Sequence, residues 1–256
     1  MNPVLFIIND YEVRSYLIII LAAILLAALL IRYYEIPFLK AGRRCPGTID
    51  RYNGEALFIA LVSTVIGARL GFVFTNWHLY GDDPLRILAI WRGGLAFHGG
   101  LAAVLIAVSL HSLIRRIPIG RLMDLAVPYV SLAYAVGRVG CFFNGCCYGH
   151  ITELSWALVY PAVDDAARHP TQLYSAAAAL SFFPVLLYIH RRNYPVGVAF
   201  AWFLILFGSY RFAVEFFRVS EALISMISLA QLISLAVIAG GLVLLLIINK
   251  KWRGET

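Results

Sequence analysis

The chain has 256 residues, 61% of them hydrophobic and only 14% charged, with 21 basic side chains against 14 acidic ones. A typical soluble domain is about half apolar and about a quarter charged, so a soluble globule of this size could not bury the apolar surface this sequence carries. The net charge of +7 raises nucleic-acid binding as a function, but the basic residues are dealt out by loop and form no patch, which excludes it.

A helix needs about 20 mostly apolar residues to cross a hydrocarbon layer roughly 30 Å thick. Seven stretches meet that measure, at residues 15–34, 56–76, 88–113, 122–143, 171–190, 196–217 and 227–249. The fold class expected is therefore an all-α polytopic membrane protein with about seven spans. Asp10, Glu12 and Arg14 precede the first stretch where a signal peptide would carry a basic run, and no small-residue cleavage site follows, so it reads as a retained span.

Alternate connections differ sharply in basic residues. Arg14, Arg86, Arg92, Arg168 and Arg218 fall on one side, and Arg32, Lys40, Arg43, Arg44, Arg51, Arg115, Arg116, Arg121, Arg191, Arg192, Lys250, Lys251 and Arg253 on the other. The richer side belongs in the cytoplasm, which puts the N-terminus outside and the C-terminus inside. With no repeat of fixed period, no low-complexity tract and no long linker, residues 1–256 read as a single transmembrane domain.

Three arginines remain, Arg69, Arg138 and Arg211, within or at the ends of spans. A cation at the bilayer centre costs about 2.5 to 3.5 kcal/mol on insertion scales, so each needs a partner or a route to the headgroups. Arg69 lies close to the polar end marked by Thr75 and Asn76, and snorkelling and anion binding explain it equally well. Arg211 has Glu215 one turn later on the same face, the spacing of a structural ion pair. All three approach the outer half of the membrane, where an anionic headgroup is the natural ligand of a guanidinium.

In the third stretch His98 precedes Gly99 and Gly100. A lone histidine in an apolar helix is more often a packed core residue, but paired glycines allow another backbone or a ligand to come close, which favours a functional use. The fourth stretch closes with Gly137-Arg-Val-Gly-Cys-Phe-Phe-Asn-Gly-Cys-Cys-Tyr-Gly149. Irregular backbone at membrane depth survives only when it is buried in protein or lines a polar cavity, so this segment marks a cavity wall. Its Cys141, Cys146 and Cys147 have no paired C-x-x-C spacing, and Cys45 is expected across the membrane, so no metal site is expected. Small packed thiols are the favoured reading, with a disulfide from Cys141 to Cys146 or Cys147 as the alternative on the oxidising side.

Six motifs occur in order along the chain: Gly67-Ala-Arg-Leu-Gly, His98-Gly-Gly-Leu, Gly137-Arg-x-Gly-x-Phe-x-Asn-Gly, Arg168-His-Pro-Thr-Gln-Leu-Tyr, Tyr210-Arg-Phe-x-x-Glu-Phe-Phe-Arg and Gln231-Leu-Ile-Ser. Together they resemble the prolipoprotein diacylglyceryl transferase family over nearly the whole chain. The resemblance implies a seven-span enzyme of the bacterial inner membrane. It would move the diacylglyceryl group of phosphatidylglycerol onto the lipobox cysteine of a prolipoprotein signal peptide and release glycerol phosphate, with no cofactor or metal. By position, His98 matches the family's essential histidine, Arg138 its phosphatidylglycerol-binding arginine, and Arg211 with Glu215 its late arginine and acid. The expected catalytic residues are His98, Arg138 and Arg211. The expected lipid contacts are Arg138, Arg69, Asn144, Glu215, Gln172 and Tyr174.

Three positions depart from the best-known members of that family: Cys141 and Cys146 stand where they hold asparagine and glutamate, and Phe207 where they hold tyrosine. The changes put the fine polar network in question more than the reaction, and the missing acid keeps open a homologue without activity. The chemistry itself fits the residues. A thiol of pKa about 8.5 needs a base to become the nucleophile, which His98 supplies, and the departing phosphate needs cationic stabilisation, which Arg138 and Arg211 supply. His169 is a rival base, but it precedes Pro170 in a loop and fits better as an organiser of the fifth span. A small transporter or lipid-binding protein would use the same charged cavity, but the inverted repeats common in transporters are not evident.

Overall fold

A computed structural model of the chain describes residues 4–8, 11–35, 48–80, 84–89, 94–192, 194–219, 222–224 and 227–255. Of the residues named above, Asp10, Lys40, Arg43, Arg44, Cys45 and Arg92 lie outside them. The described residues form seven α-helices and three short antiparallel hairpins. The helices are α1 (Ser15–Leu30), α2 (Thr48–Thr75), α3 (Phe97–Arg115), α4 (Ile119–Phe143), α5 (Thr171–Arg191), α6 (Val198–Glu215) and α7 (Leu229–Glu255). The hairpins pair β1 (Val4–Ile8) with β2 (Tyr11–Arg14), β3 (Leu158–Val159) with β4 (Ala167–Arg168) and β5 (Ala222–Ile224) with β6 (Ile227–Ser228).

Helices α2 to α7, six in all, are long and apolar enough to cross a membrane. Helix α1 has 16 residues, and a π-helical turn over Ile31–Glu35 continues it across the rest of the first expected span. The third expected span begins later than its composition indicates. Residues Pro84–Leu88 form a 3-10 helix instead, and Gly94 takes a left-handed φ of 77°, so the α-helix starts only at Phe97. Apolar character extends through the segment, but its carbonyls are claimed from outside it, as described below.

The chain divides into two compact units, Met1–Ile31 together with Met123–Thr256, and Arg32–Leu122. In the second of these, α2 packs along α3 through a seam of small residues. A Cβ added at Gly99 would lie 2.4 Å from the Gly67 carbonyl oxygen, and one added at Gly67 would lie 2.6 Å from that of Gly99. Only glycine permits this approach, the small-residue contact by which apolar helices associate where lipid removes the hydrophobic drive.

In the other unit, α5 packs on α6 and α6 on α7. Ser131 on α4 donates its hydroxyl to the Ala179 carbonyl on α5 at 2.7 Å. The buried Asp124 carboxylate accepts the Gly197 and Phe200 amides at 2.6 and 2.8 Å. Helix α6 opens on Gly197 at φ 98° with no side-chain cap of its own. Asp124 therefore satisfies its first amides, and its charge is favourable at the positive end of the helix.

Candidate functional site

Two of the expected residues lie in the unit Arg32–Leu122. Arg69 on α2 is only 6% exposed. Its Nε donates to the Ile87 carbonyl at 2.8 Å, its Nη2 to Arg86 at 2.6 Å and its Nη1 to Gly94 at 3.1 Å, and its guanidinium sits 5.4 Å from the Tyr80 ring centre. A planar fork with five donors suits three diverging carbonyls. Arg69 thereby ties the 3-10 helix and the Gly94 turn that precede α3 to α2, a structural use beside the lipid contact expected of it. His98 stands exposed in the first turn of α3, directly after that stretch.

The other residues belong to the unit containing α4 to α7. Near the end of α4, Arg138 is half-buried and its guanidinium covers the Tyr134 ring at 4.7 Å from the centroid. The two residues are one helical turn apart, so the stack is local. The Tyr134 and Tyr210 hydroxyls are 3.3 Å apart, and Tyr210 in turn donates to Ser175 Oγ. Among the described residues no carboxylate pairs with Arg138. Its charge is thus held against the Tyr134 face, with no acid among the described residues to neutralise it.

Arg211 contrasts with it. Its Nη1 forms an ion pair with Glu215 Oε2 at the expected i,i+4 spacing. Glu215 is 6% exposed, and its second oxygen accepts the Ser228 hydroxyl at 3.0 Å. Gln231 closes the arrangement by accepting the Ser228 amide through Oε1 at 2.9 Å. A buried carboxylate engaged at both oxygens fixes the Arg211 side chain in one place.

Beyond α4 the chain turns through Asn144, Gly145, Cys146 and Cys147, with Gly145 and Cys147 at φ 68° and 64°. The half-buried Asn144 donates its amide to the Gly140 carbonyl at 3.0 Å. Two fully buried side chains of α5 hold this turn: Gln172 Nε2 donates to the Cys146 carbonyl and Thr171 Oγ1 to the Cys147 carbonyl, both at 2.6 Å. Gln172 Oε1 accepts the Tyr160 hydroxyl at 3.0 Å, and burial pushes that hydroxyl's pKa up, which favours its role as donor. Gln172, expected at the lipid, is engaged at both ends of its amide in shaping the segment that carries Asn144.

Tyr174 accepts the Trp156 indole N–H at 2.8 Å and lies 3.1 Å from His169 Nδ1. These three residues, with Leu154, Tyr210, Ala213, Val214 and Phe217, line an open cavity of about 400 Å3. His169 anchors its backbone too, donating its amide to His150 and accepting that of Gly149. The organising role expected of it agrees with these bonds. Gly149 itself has no room for a side chain, since a Cβ would lie 2.1 Å from the Phe217 carbonyl oxygen.

The structure therefore gathers Arg138, Tyr134, Tyr210 and Ser175 into one group, Arg211 and Glu215 into another, and Gln172 and Tyr174 around the turn and the cavity. Tyr134, Ser175 and Trp156 were not singled out from sequence. Tyr134 has a local signal, its i,i+4 spacing to Arg138, whereas the other two are joined to the group only by the fold.

These features define a polytopic membrane protein with cations and aromatics held inside its helical body. Residues 3–247 match the family model described as prolipoprotein diacylglyceryl transferase. The chain is similar to the phosphatidylglycerol–prolipoprotein diacylglyceryl transferase of Geobacter sulfurreducens, 31% identical over 99% of this chain and 97% of that protein. It is likewise similar to those of Vibrio vulnificus, 33% identical over 95% of this chain and 90% of that protein, and Cupriavidus necator, 36% identical over 86% of this chain and 89% of that protein. The chain belongs to the prolipoprotein diacylglyceryl transferase family.

Proposed function

We propose that this chain transfers the diacylglyceryl group of phosphatidylglycerol to the lipobox cysteine of prolipoproteins, the first step of lipoprotein maturation. The observation that carries the reading is the family match across residues 3–247. The acceptor sulfur attacks the glycerol carbon that bears the phosphate. A C–S bond forms, the C–O bond breaks, and its electron pair leaves with glycerol phosphate. The thiol proton goes to His98, and no cofactor or metal takes part.

Arg138 holds the phosphate. Its support is a guanidinium that stacks on Tyr134 and has no acid partner among the described residues, which leaves its fork suited to two phosphate oxygens. Arg211 adds positive charge as the leaving group departs, steadied by Glu215. Asn144 and Tyr174 contact the lipid headgroup and its neighbourhood, while Gln172 and Arg69 act through the backbone they hold. We read residues 1–256 as a single transmembrane domain, a reading supported by the lack of a fixed-period repeat or a long linker in the sequence.

We place the enzyme in the bacterial inner membrane with its N-terminus outside and its C-terminus in the cytoplasm. The distribution of basic residues supports this orientation. Reporter fusions at Gly120 and Gly149 are expected to read cytoplasm and exterior respectively, and the reverse pattern would overturn both the topology and the placement of the site.

The reaction is tested by incubating purified protein with phosphatidylglycerol and a lipobox peptide. Mass spectrometry is expected to find a thioether-linked diacylglyceryl peptide, and its absence with folded protein would sink the proposal. His98→Gln is expected to bind phosphatidylglycerol nearly as well as the parent while slowing transfer, because it removes the base and leaves the phosphate contact.

A further inference from the structure

The three cysteines have no paired spacing, yet the fold brings them together. Cys141 lies in the last turn of α4, and Cys146 and Cys147 follow in the turn beyond. The Cys146 amide returns to the Cys141 carbonyl at 3.2 Å, and the Gly145 amide to the Phe142 carbonyl at 3.1 Å. Cys147 adopts a left-handed backbone at φ 64°, which is strained for a non-glycine residue and persists only when surroundings enforce it. The buried Thr171 and Gln172 enforce it here by bonding the Cys147 and Cys146 carbonyls. The result is that the three Sγ atoms all lie within 4.8 Å of one another, and none is in a disulfide.

We propose that Cys141, Cys146 and Cys147 form a binding site for one soft, monovalent d10 metal ion, for which cuprous copper is the chemical type. Thiolate sulfur selects soft ions. Three sulfurs about 2.3 Å from a common ion in a plane stand about 4 Å apart, within the observed separation. No fourth histidine, cysteine or acid joins the cluster among the described residues, whereas structural zinc is held by four ligands. Cuprous copper accepts three.

Charge points the same way. Three thiolates around a monovalent ion carry two net negative charges, and the positive charges of Arg138 and Arg218 act on Cys147. Binding releases the thiol protons and draws both guanidiniums toward the sulfur cluster. Since the transfer reaction proposed above uses Arg138 for phosphate, metal loading should inhibit transfer. The site itself does not depend on that reading.

The test is a titration of the reduced, full-length protein in detergent under anaerobic conditions, with cuprous ion supplied from a coloured bicinchoninate complex. The protein is expected to withdraw one equivalent per chain, with X-ray absorption showing a shell of sulfur only. Cys141→Ser, Cys146→Ser and Cys147→Ser are each expected to weaken uptake at least tenfold, and Cys45→Ser to leave it unchanged. The absorption spectrum of the unsubstituted protein keeps the test decisive if a variant misfolds. The proposal is overturned if the ion stays with the chelator, if the shell contains nitrogen or oxygen in place of sulfur, or if uptake survives loss of the three thiols. It is also overturned if two of the three resist alkylation in the unfolded, metal-free protein before reductant is added, the mark of a disulfide. Failure here leaves the transferase reading standing, because the readout is metal uptake and not activity.

Discussion

Arg69 and Arg138 are the same residue type in the same kind of apolar helix, and the two regions satisfy them in opposite ways. Around Arg69 the protein supplies three backbone carbonyls, two from the 3-10 helix Pro84–Leu88 and one from Gly94, and the residue is almost completely buried. Around Arg138 it supplies an aromatic face and a pair of tyrosine hydroxyls, and the side chain stays half-buried. Carbonyls use up donors, whereas an aromatic face stabilises the charge and leaves the donors for another group. The contrast separates an arginine that builds structure from one suited to an anion.

The largest effect expected of this contrast is on catalysis. Arg138→Lys and Arg138→Ala should both lose most transfer activity, because lysine keeps the charge but not the planar fork. Losing a charge-assisted hydrogen bond to phosphate costs about 1.5 to 3 kcal/mol, roughly a tenfold to hundredfold drop in rate. Full activity in a well-folded Arg138→Lys protein would end the phosphate assignment.

At Arg69 the same substitution should act on stability. One ammonium cannot reach carbonyls at residues 86, 87 and 94 together, so Arg69→Lys should lower the thermal midpoint by an amount corresponding to about 1 to 3 kcal/mol. Arg138→Lys should shift that midpoint much less, since among the described residues no carbonyl or acid is left unsatisfied. Equal thermal shifts in the two variants would erase the distinction between the regions.

How much of this was legible beforehand depended on how far along the chain each partner lies. The spans are continuous apolar runs, so helices are observed close to where composition puts them for all but the third of the seven. The Arg211–Glu215 pair is also local, and i,i+4 spacing revealed it. The start of α3 was not legible, because apolar composition continues through residues 84–89 while Arg69, at least 17 positions away, takes their carbonyls. Asp124 capping α6 across 73 residues, and the α5 side chains clamping the Cys146–Cys147 turn, likewise exist only once helices pack. The thiol cluster follows from that clamp, so cysteine spacing alone did not reveal it.

A third variant extends the comparison to the seam that supports Arg69. Gly99→Ala would push a methyl group to within 2.4 Å of the Gly67 carbonyl oxygen, and backbone, not a flexible side-chain end, stands in the way. Helices α2 and α3 must separate to accept it, which should cost about 1 to 3 kcal/mol. The control is Gly137→Ala on α4, where a Cβ meets nothing within 4 Å. Its thermal midpoint should stay the same or rise, since alanine is the better helix former. A Gly99→Ala protein as stable as the Gly137→Ala control would show that the seam is looser than its geometry.

The smallest effect expected is in the surface hairpin, where an arginine meets an acid in water instead of inside the helices. Arg168 donates from Nη2 and Nε to the two oxygens of Asp164, at 2.5 and 3.3 Å, and Asp164 also accepts the Ala166 amide at 3.1 Å. The Arg168 guanidinium holds the Asp164 carboxyl below the usual carboxylate range. A carboxyl with a depressed folded pKa stabilises the folded hairpin above its unfolded pKa of about 3.9 and loses that contribution as pH falls through the folded value. The Asp164 side is exposed to solvent, so salt should screen the pair and its contribution should be slight. Hydrogen exchange at the Ala166 amide is expected to speed up, beyond its intrinsic pH dependence, between pH 5 and pH 3, and Asp164→Asn should abolish that change. An amide whose protection does not change across this range would show that the β3–β4 turn is held by its backbone alone, and that Arg168 contributes through its contact with the Tyr148 ring at 5.2 Å.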